Sequence, residues 1–457
     1  MKHLGIDVNI KNIPVLDPGF IPLGVFNREF LKGAKKPIAI CVERNAGLTT
    51  VYDTFITGTN ADADNYYVER IVKFLLWARG GYKVTICGDD SVAGYVKKCY
   101  SPGGKNEFDN TFMERVYEKP FEVHALPLDK KPAPNEQAKP VGGKNTGCRI
   151  GFDAGGSDRK VSAVIDGEAV YSEEVVWLPK ITPDPDYHFN GIVEAMKKAA
   201  SFLPRVDSIG VSSAGIYIDN RTMVASLFLK VSPEDFEAKV KDIYIRAGKE
   251  IGADIPLTVV NDGDVSALAG AMEFKDNNVL GMAMGTSEAV GYLDENGHIK
   301  GWLNELAFAP VDASPDAMQD EWSFDIGCGV KYFSQDGVIK LAEKAGIVYP
   351  ADLDSPGKKL KYTQDLMAAN GEQAETVRDI FRSIGVYLGH TLPFYWDMYG
   401  FKHVLLLGRV LSGEGGDLIL TNAKRVIAEE YPTYHFNVHT PDEKARRVGQ
   451  SVAAATL

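Results

Sequence analysis

Predicted strands alternate with predicted helices from residue 148 to residue 457, and this alternation restricts the fold more than any other feature. Short β-branched runs such as LTVV precede runs with helical spacing, and the strands end in Gly, Asp, Asn or Ser. These residue types form turns and contact ligands. The pattern therefore predicts α/β layers that bind ligands at the carboxyl ends of their strands.

A composition shift at residues 127–147 divides the chain. This segment is rich in proline and glycine, which predicts an exposed linker. Residues 1–126 before it show strand patterns on both sides of a turn at 44–47, followed by a helical pattern at 65–79. We therefore predict a small N-terminal α/β domain with its own core, and no known motif assigns it a role.

The length and charge of the chain exclude several classes of protein. At 457 residues it exceeds what one compact core accommodates. Its 50 Lys and Arg against 62 Asp and Glu give a net charge of −12, which disfavours binding to nucleic acid or to an anionic membrane. No run approaches the roughly 20 apolar residues of a membrane-spanning helix. The five scattered cysteines suit reduced thiols, so we expect a cytoplasmic protein.

The first candidate site follows the strand that begins at Cys148. Asp153 comes near the end of this strand, and Gly155, Gly156 and Ser157 follow in a turn. Two glycines let backbone N–H groups approach an anion without a Cβ in the way, and Ser157 adds a hydroxyl donor. Asp153 could hold a water-bound Mg²⁺, which prefers one or two carboxylates plus phosphate oxygens. The alternative is a hairpin turn that simply needs glycine.

Two later strand ends could complete a nucleotide site. Gly285 and Thr286 open a second hairpin, which would grip a polyphosphate from the side opposite the first turn. Gly408 ends an apolar strand, where a flat base could lie against bare backbone. Each motif alone is weak, because an ordinary strand end explains it equally well.

A polar cluster after the strand LTVV supplies a candidate general base. Asn261 and Asp262 follow the β-branched residues directly, at the expected rim of a sheet. A carboxylate there can accept the proton of a substrate hydroxyl as that oxygen attacks phosphorus. The alternative is an Asx turn in which Asp264 is the N-cap of a helix starting at residue 265. The two interpretations are compatible if Asp264 caps the helix while the side chain of Asp262 projects from the rim of the sheet.

Taken in order, these motifs resemble those of one family. The fragments DAGGS, VSSAG, VVNDGDVSALAG, MGTSEAVGYL, NELAF, LLLGR and VGQSVAAATL follow the order found in the ROK family of sugar kinases and sugar-responsive repressors. This family belongs to the actin/hsp70/hexokinase superfamily. The resemblance covers residues 148–457 and implies two ribonuclease-H-like, actin-like ATPase lobes around a cleft, at 148–260 and 261–441. It also implies a C-terminal helix at 442–457 that returns to the first lobe.

The resemblance also implies roles for individual residues and for two cofactors, ATP and Mg²⁺. It implies that Asp262 is the general base, that Asn261 and Glu305 bind sugar hydroxyls, and that Asp153 lies on the first phosphate loop, where it would hold Mg²⁺. The remaining nucleotide-binding positions that it implies are Gly155, Gly156 and Ser157 on the first loop, Gly285 and Thr286 on the second loop, and Gly408 on the adenosine loop.

Several positions depart from the family pattern. Ser287, Glu288 and Ala289 stand in the glycine-rich second loop, where added side chains, one of them anionic, would hinder the approach of phosphate. Only Cys328 remains of the cysteines that hold zinc in the family, so we expect no zinc site. Polar ligands of the family also give way to apolar residues, and these are Phe308, Val330 and Phe228.

Two functions remain open from the sequence. The first is ATP-dependent phosphorylation of a small-molecule sugar. The apolar replacements favour a sugar that is less hydroxylated or differently oriented, such as an N-acetylated or otherwise modified one. The second is a catalytically silent ROK-like protein that senses a sugar or nucleotide. Residues 1–126 do not resemble a basic helix-turn-helix domain, which disfavours transcriptional control. The resemblance favours a homodimer, although the added domain could block or replace that contact.

Overall fold

The structure is a computed structural model that describes residues 1–136, 141–440 and 449–457. Its strands are β1 (Lys2–His3), β2 (Ile6–Asp7), β3 (Lys36–Glu43), β4 (Thr49–Ile56), β5 (Lys83–Cys87), β6 (Glu122–Leu126), β7 (Cys148–Ala154), β8 (Asp158–Ile165), β9 (Glu168–Val176), β10 (Ser208–Ser213), β11 (Ile216–Ile218), β12 (Arg221–Val224), β13 (Leu257–Asn261), β14 (Val279–Met284), β15 (Glu288–Leu293), β16 (His403–Leu407) and β17 (Asn437–His439). Its α-helices are α1 (Leu23–Gly33), α2 (Ala61–Arg79), α3 (Asp90–Cys99), α4 (Glu107–Tyr117), α5 (Pro185–Ala200), α6 (Pro233–Asp235), α7 (Ile243–Lys249), α8 (Asp262–Phe274), α9 (Gln335–Lys344), α10 (Pro356–Ala368), α11 (Ala374–Tyr399), α12 (Glu414–Glu430) and α13 (Gly449–Ala455).

The first lobe, from β7 to β13, is built on a five-stranded sheet in the order β13-β10-β7-β8-β9. Strands β7, β8 and β9 pair antiparallel, while β10 and β13 extend the sheet in parallel with β7. The register aligns Asp153 with Ser212, and Ser212 with Val260. The carboxyl ends of the three parallel strands therefore meet at one edge of the sheet, where ligands bind in open α/β sheets.

The second lobe, from α8 to β17, has a four-stranded sheet in the order β15-β14-β16-β17. Strands β14 and β15 form an antiparallel hairpin and β16 pairs with β14 in parallel, so this hairpin repeats the one formed by β7 and β8. The helical spacing of residues 374–398 predicts one long helix, and α11 confirms it. None of the helices in the described ranges, α11 included, combines the length and apolar character that crossing a membrane requires.

The C-terminal helix α13 packs directly on the first-lobe sheet. A Cβ at Gly151 of β7 would lie 1.7 Å from Ser451 O, and a Cβ at Gly210 of β10 would lie 1.7 Å from Ala454 O. Only glycine leaves room for such an approach of helix to strand. The described end of the chain, 449–457, therefore lies on the first lobe. Residues 442–448 of the predicted helix lie outside the described residues.

Residues 1–136, the N-terminal segment, carry a separate four-stranded sheet in the order β4-β3-β5-β6. Strands β3 and β4 pair along their whole length around the turn that the sequence predicts. Helix α2 begins at residue 61 rather than 65, because the side chain of Asn60 accepts the N–H of Ala63 and caps the helix there. Its C-cap is Gly80, and the pair Gly80-Gly81 in the sequence predicts this end of the helix.

The N-terminal segment does not have a core of its own. The ring centroid of Phe74 in α2 lies 4.8 Å from that of Phe394 in α11, and Trp77 lies 4.5 Å from Phe308. Phe74, Trp77 and Phe394 are buried in one hydrophobic cluster that continues into the second lobe. The expectation of an independent core is therefore wrong, because the apolar face of α2 packs on the second lobe as well as on its own sheet.

A buried charge cluster joins the same two parts. Arg70 Nη1 and Lys73 Nζ lie 2.8 Å and 3.0 Å from Asp325 Oδ2 of the second lobe, and Lys73 also pairs with Asp109 at 2.9 Å. Burial alone would raise the pKa of Asp325, but the two cations outweigh burial and lower that pKa. Removing one partner would leave an uncompensated buried charge, so the cluster fixes how α2 sits on the second lobe.

The N-terminal segment also contacts the first lobe. Glu118, which follows α4 in the left-handed conformation, pairs with Arg221 at 3.2 Å and with Lys241. Within the predicted linker, the carboxylate of Glu136 accepts a hydrogen bond from Trp302 Nε1 of the second lobe at 3.0 Å. The N-terminal segment therefore touches both lobes. Its hydrophobic cluster includes Ile216 and Met223 of the first lobe as well as residues of the second, so both interfaces combine apolar and ionic contacts.

Replacing Phe74 by alanine should destabilise the N-terminal segment and the second lobe together. Phe74 is fully buried, and truncation of a buried phenylalanine costs about 3–5 kcal/mol of unfolding free energy. Urea unfolding followed by tryptophan fluorescence measures the loss. The control Phe55→Ala removes a ring that is 48% exposed on β4 and should change stability by less than about 1 kcal/mol. A Phe74→Ala loss as small as that of the control would contradict a shared core.

Candidate active site

Asp153, near the end of β7, has a carboxyl group that is almost fully buried. Its Oδ1 accepts a hydrogen bond from Ser212 Oγ at 2.7 Å, and its Oδ2 is 4.0 Å from Lys160 Nζ. Burial raises the pKa of Asp153 to about 6; the hydrogen bond from Ser212 opposes this rise and the charge of Asp262 adds to it. Near neutral pH this carboxyl group can therefore ionise and attract a cation.

The first loop, Gly155-Gly156-Ser157, presents N–H groups that are free to bind an anion. Throughout the described ranges no acceptor is found for these three amides. Trp177 holds the loop in place, because its Nε1–H donates to Gly155 O at 2.8 Å and its backbone N–H donates to Ser157 O at 3.2 Å. The Ser157 hydroxyl donates to Asp158 Oδ2 at 3.0 Å. The fixed backbone, more than the hydroxyl, suits the loop to phosphate.

Asn261 and Asp262 lie where the chain leaves the first-lobe sheet and enters α8. Asn261 Oδ1 accepts the N–H of Gly263 at 2.7 Å and caps the helix, while its Nδ2 donates to Gly215 O at 2.8 Å. An Asx cap is therefore present, but Asn261 provides it and Asp264 does not. The reason is that α8 begins at residue 262, three residues before the start that the pattern indicates.

The environment of Asp262 makes its carboxylate a stronger base. Burial raises the pKa of Asp262, and the hydrogen bond from the N–H of Gly263 opposes this rise without cancelling it. Burial likewise raises the pKa values of Asp264 and Glu305 to about 7 each, and the charge of Asp262 adds to both shifts. The three carboxyl groups therefore lie within electrostatic reach of one another at the end of β13.

The start of α8 packs backbone to backbone on the second hairpin. A Cβ at Gly291 of β15 would lie 2.0 Å from the carbonyl carbon of Gly263, and a Cβ at Gly263 would lie 2.6 Å from Val290 O. Neither position accommodates a side chain. Asp262 is thus fixed on one side by the first-lobe strand β13 and on the other by the second-lobe strand β15.

Glu305 lies on the side of the site that the N-terminal segment covers. Its backbone N–H donates to Trp77 O at the end of α2 at 2.9 Å. Phe308, one turn farther along the chain, has its ring 4.5 Å from Trp77 and 5.4 Å from Phe108. Phe308, where the resemblance implies a polar ligand, is therefore part of an aromatic interface with the N-terminal segment. This contact joins residues more than two hundred positions apart, so no local pattern could indicate it.

The second loop offers fewer amides than the first. The N–H of Gly285 donates to Ser287 O at 3.0 Å within the turn, and Gly285 O accepts the N–H of Gln335 at 2.9 Å. Thr286 and Ser287 are exposed, and no residue in the described part of the chain accepts their N–H groups. The donors that remain for a phosphate here are therefore those of Thr286 and Ser287, and the amide of Gly285 is already in use.

Glu288 is buried in the second lobe and does not face the second loop. Its Oε1 accepts a hydrogen bond from Tyr395 Oη at 3.3 Å, and a Cβ at Gly329 would lie 2.1 Å from its Oε2. Burial raises the pKa of Glu288 to about 8, and the charge of Glu305 adds to the shift. The expectation that Glu288 places a negative charge against phosphate is therefore wrong, because this carboxyl group is inside the lobe and protonated at neutral pH.

Gly408 follows β16 and lies against the strand that leads into the second loop. Its φ is 105°, and a Cβ there would be 2.2 Å from Met284 O, so only glycine fits. Beyond it a cavity of about 580 Å³ opens between α10 and the start of α12, with Gln364, Met367 and Arg409 among its lining residues. This volume lies within the range of small-molecule sites and is adequate for a nucleoside.

The other replaced positions are packing residues. Phe228 is buried in the first-lobe core, with its ring 5.0 Å from that of His188. Val330 and Cys328 pack with Ala307 beneath Phe308, and burial raises the pKa of the Cys328 thiol to about 12. Within the described ranges, no three His, Cys, Asp or Glu side chains form a group that could hold a metal ion.

The predicted site residues fall into two groups in the structure. The first group surrounds the end of the first-lobe sheet and comprises Asp153, Gly155, Gly156, Ser157, Asn261, Asp262 and Glu305. The second surrounds the end of the second-lobe sheet and comprises Gly285, Thr286 and Gly408. The contact between α8 and β15 connects them. One further side chain at the first group, that of Lys180, has no signal in the sequence beyond its place in a proline-containing loop.

Glu288→Gln should remove the pH dependence that the Glu288 carboxyl group gives to the free energy of unfolding. Because burial raises the folded-state pKa of Glu288 from 4.5 to about 8, its contribution is fully present below about pH 4.5 and is lost as the pH rises through about 8. The variant should match the wild type near pH 5 and exceed it by roughly 2–4 kcal/mol at pH 9. Urea unfolding across this range is the measurement, with the exposed Glu372→Gln as control. Parallel curves for Glu288→Gln and the wild type would contradict the burial of a protonated carboxyl group.

Solved structures share this architecture. The ROK hexokinase from Thermus thermophilus gives a TM-score of 0.53 at 16% sequence identity, over 68% of this chain and 97% of that chain. The ROK family glucokinase from Streptomyces griseus, in complex with glucose and AMPPNP, gives 0.49 at 18% identity, over 68% and 98%. A ROK family transcriptional regulator, a homolog of the E. coli MLC protein, gives 0.46 at 16% identity, over 67% and 77%.

No protein-family model and no curated protein matches the sequence. At these identities a structural likeness establishes the fold and not the activity, and the T. thermophilus hexokinase, with a TM-score above 0.5, carries that conclusion. It confirms the predicted fold class of two actin-like ATPase lobes around a cleft. Over about two thirds of its length, this chain has the fold of the ROK sugar kinases.

Proposed function

We propose that this protein is an ATP-dependent sugar kinase in which Asp262 is the general base. The observation that carries the proposal is the position of Asp262 at the carboxyl edge of the first-lobe sheet, with a raised pKa and within electrostatic reach of Asp153. A base beside a phosphate-binding loop is the arrangement that phosphoryl transfer to an alcohol requires. A hexokinase with the same fold supports this interpretation.

The chain has suitable groups for Mg²⁺ and ATP. The free amides of the first loop and those of Thr286 and Ser287 suit a polyphosphate, and the cavity beyond Gly408 suits the adenosine. The buried carboxyl of Asp153 would hold Mg²⁺ through water. When bound, ATP would supply the phosphoryl group and Mg²⁺ would neutralise its charge.

The acceptor would lie between Asp262 and the N-terminal segment. Asp262 would take the proton of the reacting hydroxyl, while Glu305 and the second N–H of Asn261 Nδ2 would bind neighbouring hydroxyls. Phe308 lies three residues beyond Glu305 and is only partly buried, so its ring retains exposed area on which a sugar ring could stack. Aromatic walls in place of polar ligands favour a sugar with fewer free hydroxyls, such as an N-acetylated one.

A second function, a sugar or nucleotide sensor without turnover, is favoured by the smaller set of polar ligands. The ring of Phe308 packs on Trp77 in the aromatic interface, and the N–H of Gly285 donates to Ser287 O within its own turn. Calorimetric titration with ATP and a panel of sugars, beside an assay of ADP release, separates the two functions. Sugar binding without ADP release from any sugar identifies the sensor.

Asp262→Asn should abolish turnover and leave nucleotide binding intact. The amide cannot accept the hydroxyl proton, so kcat should fall by about 10²–10⁴-fold, whereas the Kd for ATP should change little because Asp262 does not line the cavity beyond Gly408. Coupled ADP-release kinetics and calorimetry give the two values.

The matched control is Asp352→Asn, which removes an exposed carboxylate in the loop before α10 and should retain wild-type kcat. Because Asp262 must be ionised to act, wild-type kcat should also fall as the pH drops below its raised pKa. An Asp262→Asn variant with wild-type kcat would refute the assignment of the base.

A further inference from the structure

Lys180 follows β9 in a short 3-10 turn, Pro179–Ile181, and its side chain extends over the first loop. A Cβ placed on Gly156 would lie 2.6 Å from Lys180 Cε and 2.9 Å from its Nζ. The ammonium group therefore stands directly beside the backbone whose amides face the proposed phosphate position.

The backbone that carries Lys180 is fixed relative to this loop. Trp177, three residues earlier, makes two hydrogen bonds to the loop, to Gly155 O and to Ser157 O. The ring of His188 in α5 contacts Pro179 O at 3.0 Å from the other side. Because the turn is held at both places, the backbone of Lys180 has a fixed position beside the first loop.

The ammonium group of Lys180 has no partner within the described ranges of the chain. No hydrogen bond or ion pair involves its Nζ there, and the side chain is exposed. The neighbouring Lys160, in contrast, pairs with Asp158 at 2.8 Å. An exposed lysine in a loop is commonly a solvated surface residue, but this one lies beside a turn with three free amides, where its positive charge and the amide N–H groups can bind the same anion.

The same ammonium group acts on Asp262. Its positive charge lowers the pKa of that carboxyl group and so opposes the effect of burial. Lys180 therefore lies within electrostatic reach of the proposed base and in contact with the first loop. The space between these two elements is where the phosphoryl group would be transferred.

We propose that Lys180 is a catalytic residue that contacts the phosphoryl group during its transfer from a nucleoside triphosphate to the sugar. The inference rests on the proposed kinase function. The sugar oxygen forms a bond to the γ-phosphorus as the bond from that phosphorus to the bridging oxygen breaks, and the nucleoside diphosphate leaves with the electron pair. The hydroxyl proton goes to Asp262. Lys180 keeps its proton throughout and stabilises the negative charge on the γ-phosphoryl oxygens.

The test compares Lys180→Met, Lys180→Arg and the control Lys198→Met in the full chain. Lys198 is an exposed lysine in the last turn of α5, so its replacement should not alter catalysis. With ATP and the best sugar of a substrate panel, Lys180→Met should lower kcat by roughly 10²–10³-fold, while the KM for the sugar stays within a factor of about three. Lys180→Arg should recover a large part of the loss, because it restores the positive charge. Thermal unfolding should show the same Tm for all three variants.

Two outcomes overturn the inference and are distinguishable from failure of the proposed function. If the wild type is active and Lys180→Met has the same kcat, the inference about Lys180 is wrong and the kinase function stands. If the wild type releases no ADP with any sugar, the kinase function is wrong. Calorimetric titration of the wild type and Lys180→Met with Mg·ATP and Mg·ADP then tests whether Lys180 contacts the γ-phosphate. A contact with the γ-phosphate requires that Lys180→Met weaken ATP binding at least tenfold and leave ADP binding unchanged. Equal effects on both nucleotides, or none, exclude that contact.

Discussion

The structure depends on the close contact between two backbones at the junction of the lobes. At Gly263 and Gly291 the start of α8 touches β15 with no space for a Cβ on either chain. Residue 262 is therefore bound to the first-lobe sheet through β13 and to the second hairpin through α8. A side chain at either glycine would separate the two elements and move Asp262 away from the second hairpin. The pairing of β13 with β10 and of β10 with β7 relates Asp262 to the first loop, and this steric contact relates it to the second.

The N-terminal segment explains one departure from the family pattern, the replacement of a polar ligand by Phe308. Its helix α2 provides the carbonyl that receives the N–H of Glu305 and the indole that packs on Phe308. A family ligand that would bind metal or sugar is replaced by a residue that binds this segment. The segment meets both lobes through one hydrophobic cluster and through ion pairs, those of Asp325 on the second lobe and those of Glu118 on the first. Relative movement of the lobes would therefore have to disturb at least one of these two interfaces.

Local features were predictable from the sequence, and features that depend on distant residues were not. The strand ends that carry Asp153 and Asp262 and the glycine turns follow from neighbouring residues alone, as does the long helix α11. The inward direction of Glu288 depends on Tyr395 and Gly329, and the role of Phe308 depends on Trp77. The N-cap of α8 is a smaller case, in which the sequence indicates Asp264 and the structure has Asn261. Asn261 and Asp264 are both good N-caps, and tertiary contacts of Asp264 with Tyr292 and Asn304 decide between them.

The charge of Lys180 offsets the effect of burial on the pKa of the proposed base, Asp262. Burial makes Asp262 a stronger base by raising its pKa, but burial alone would also keep the carboxyl group protonated and inactive. The ammonium group of Lys180 opposes that effect from the loop side, so that the carboxyl group can remain ionised in a site that also contains Asp153, Asp264 and Glu305. A cation beside Gly156 would then have two effects. It would attract the phosphoryl oxygens, and it would keep the carboxyl group of Asp262 ionised. This arrangement needs the lysine to stand free of other carboxylates, as its unpaired position in the described structure provides.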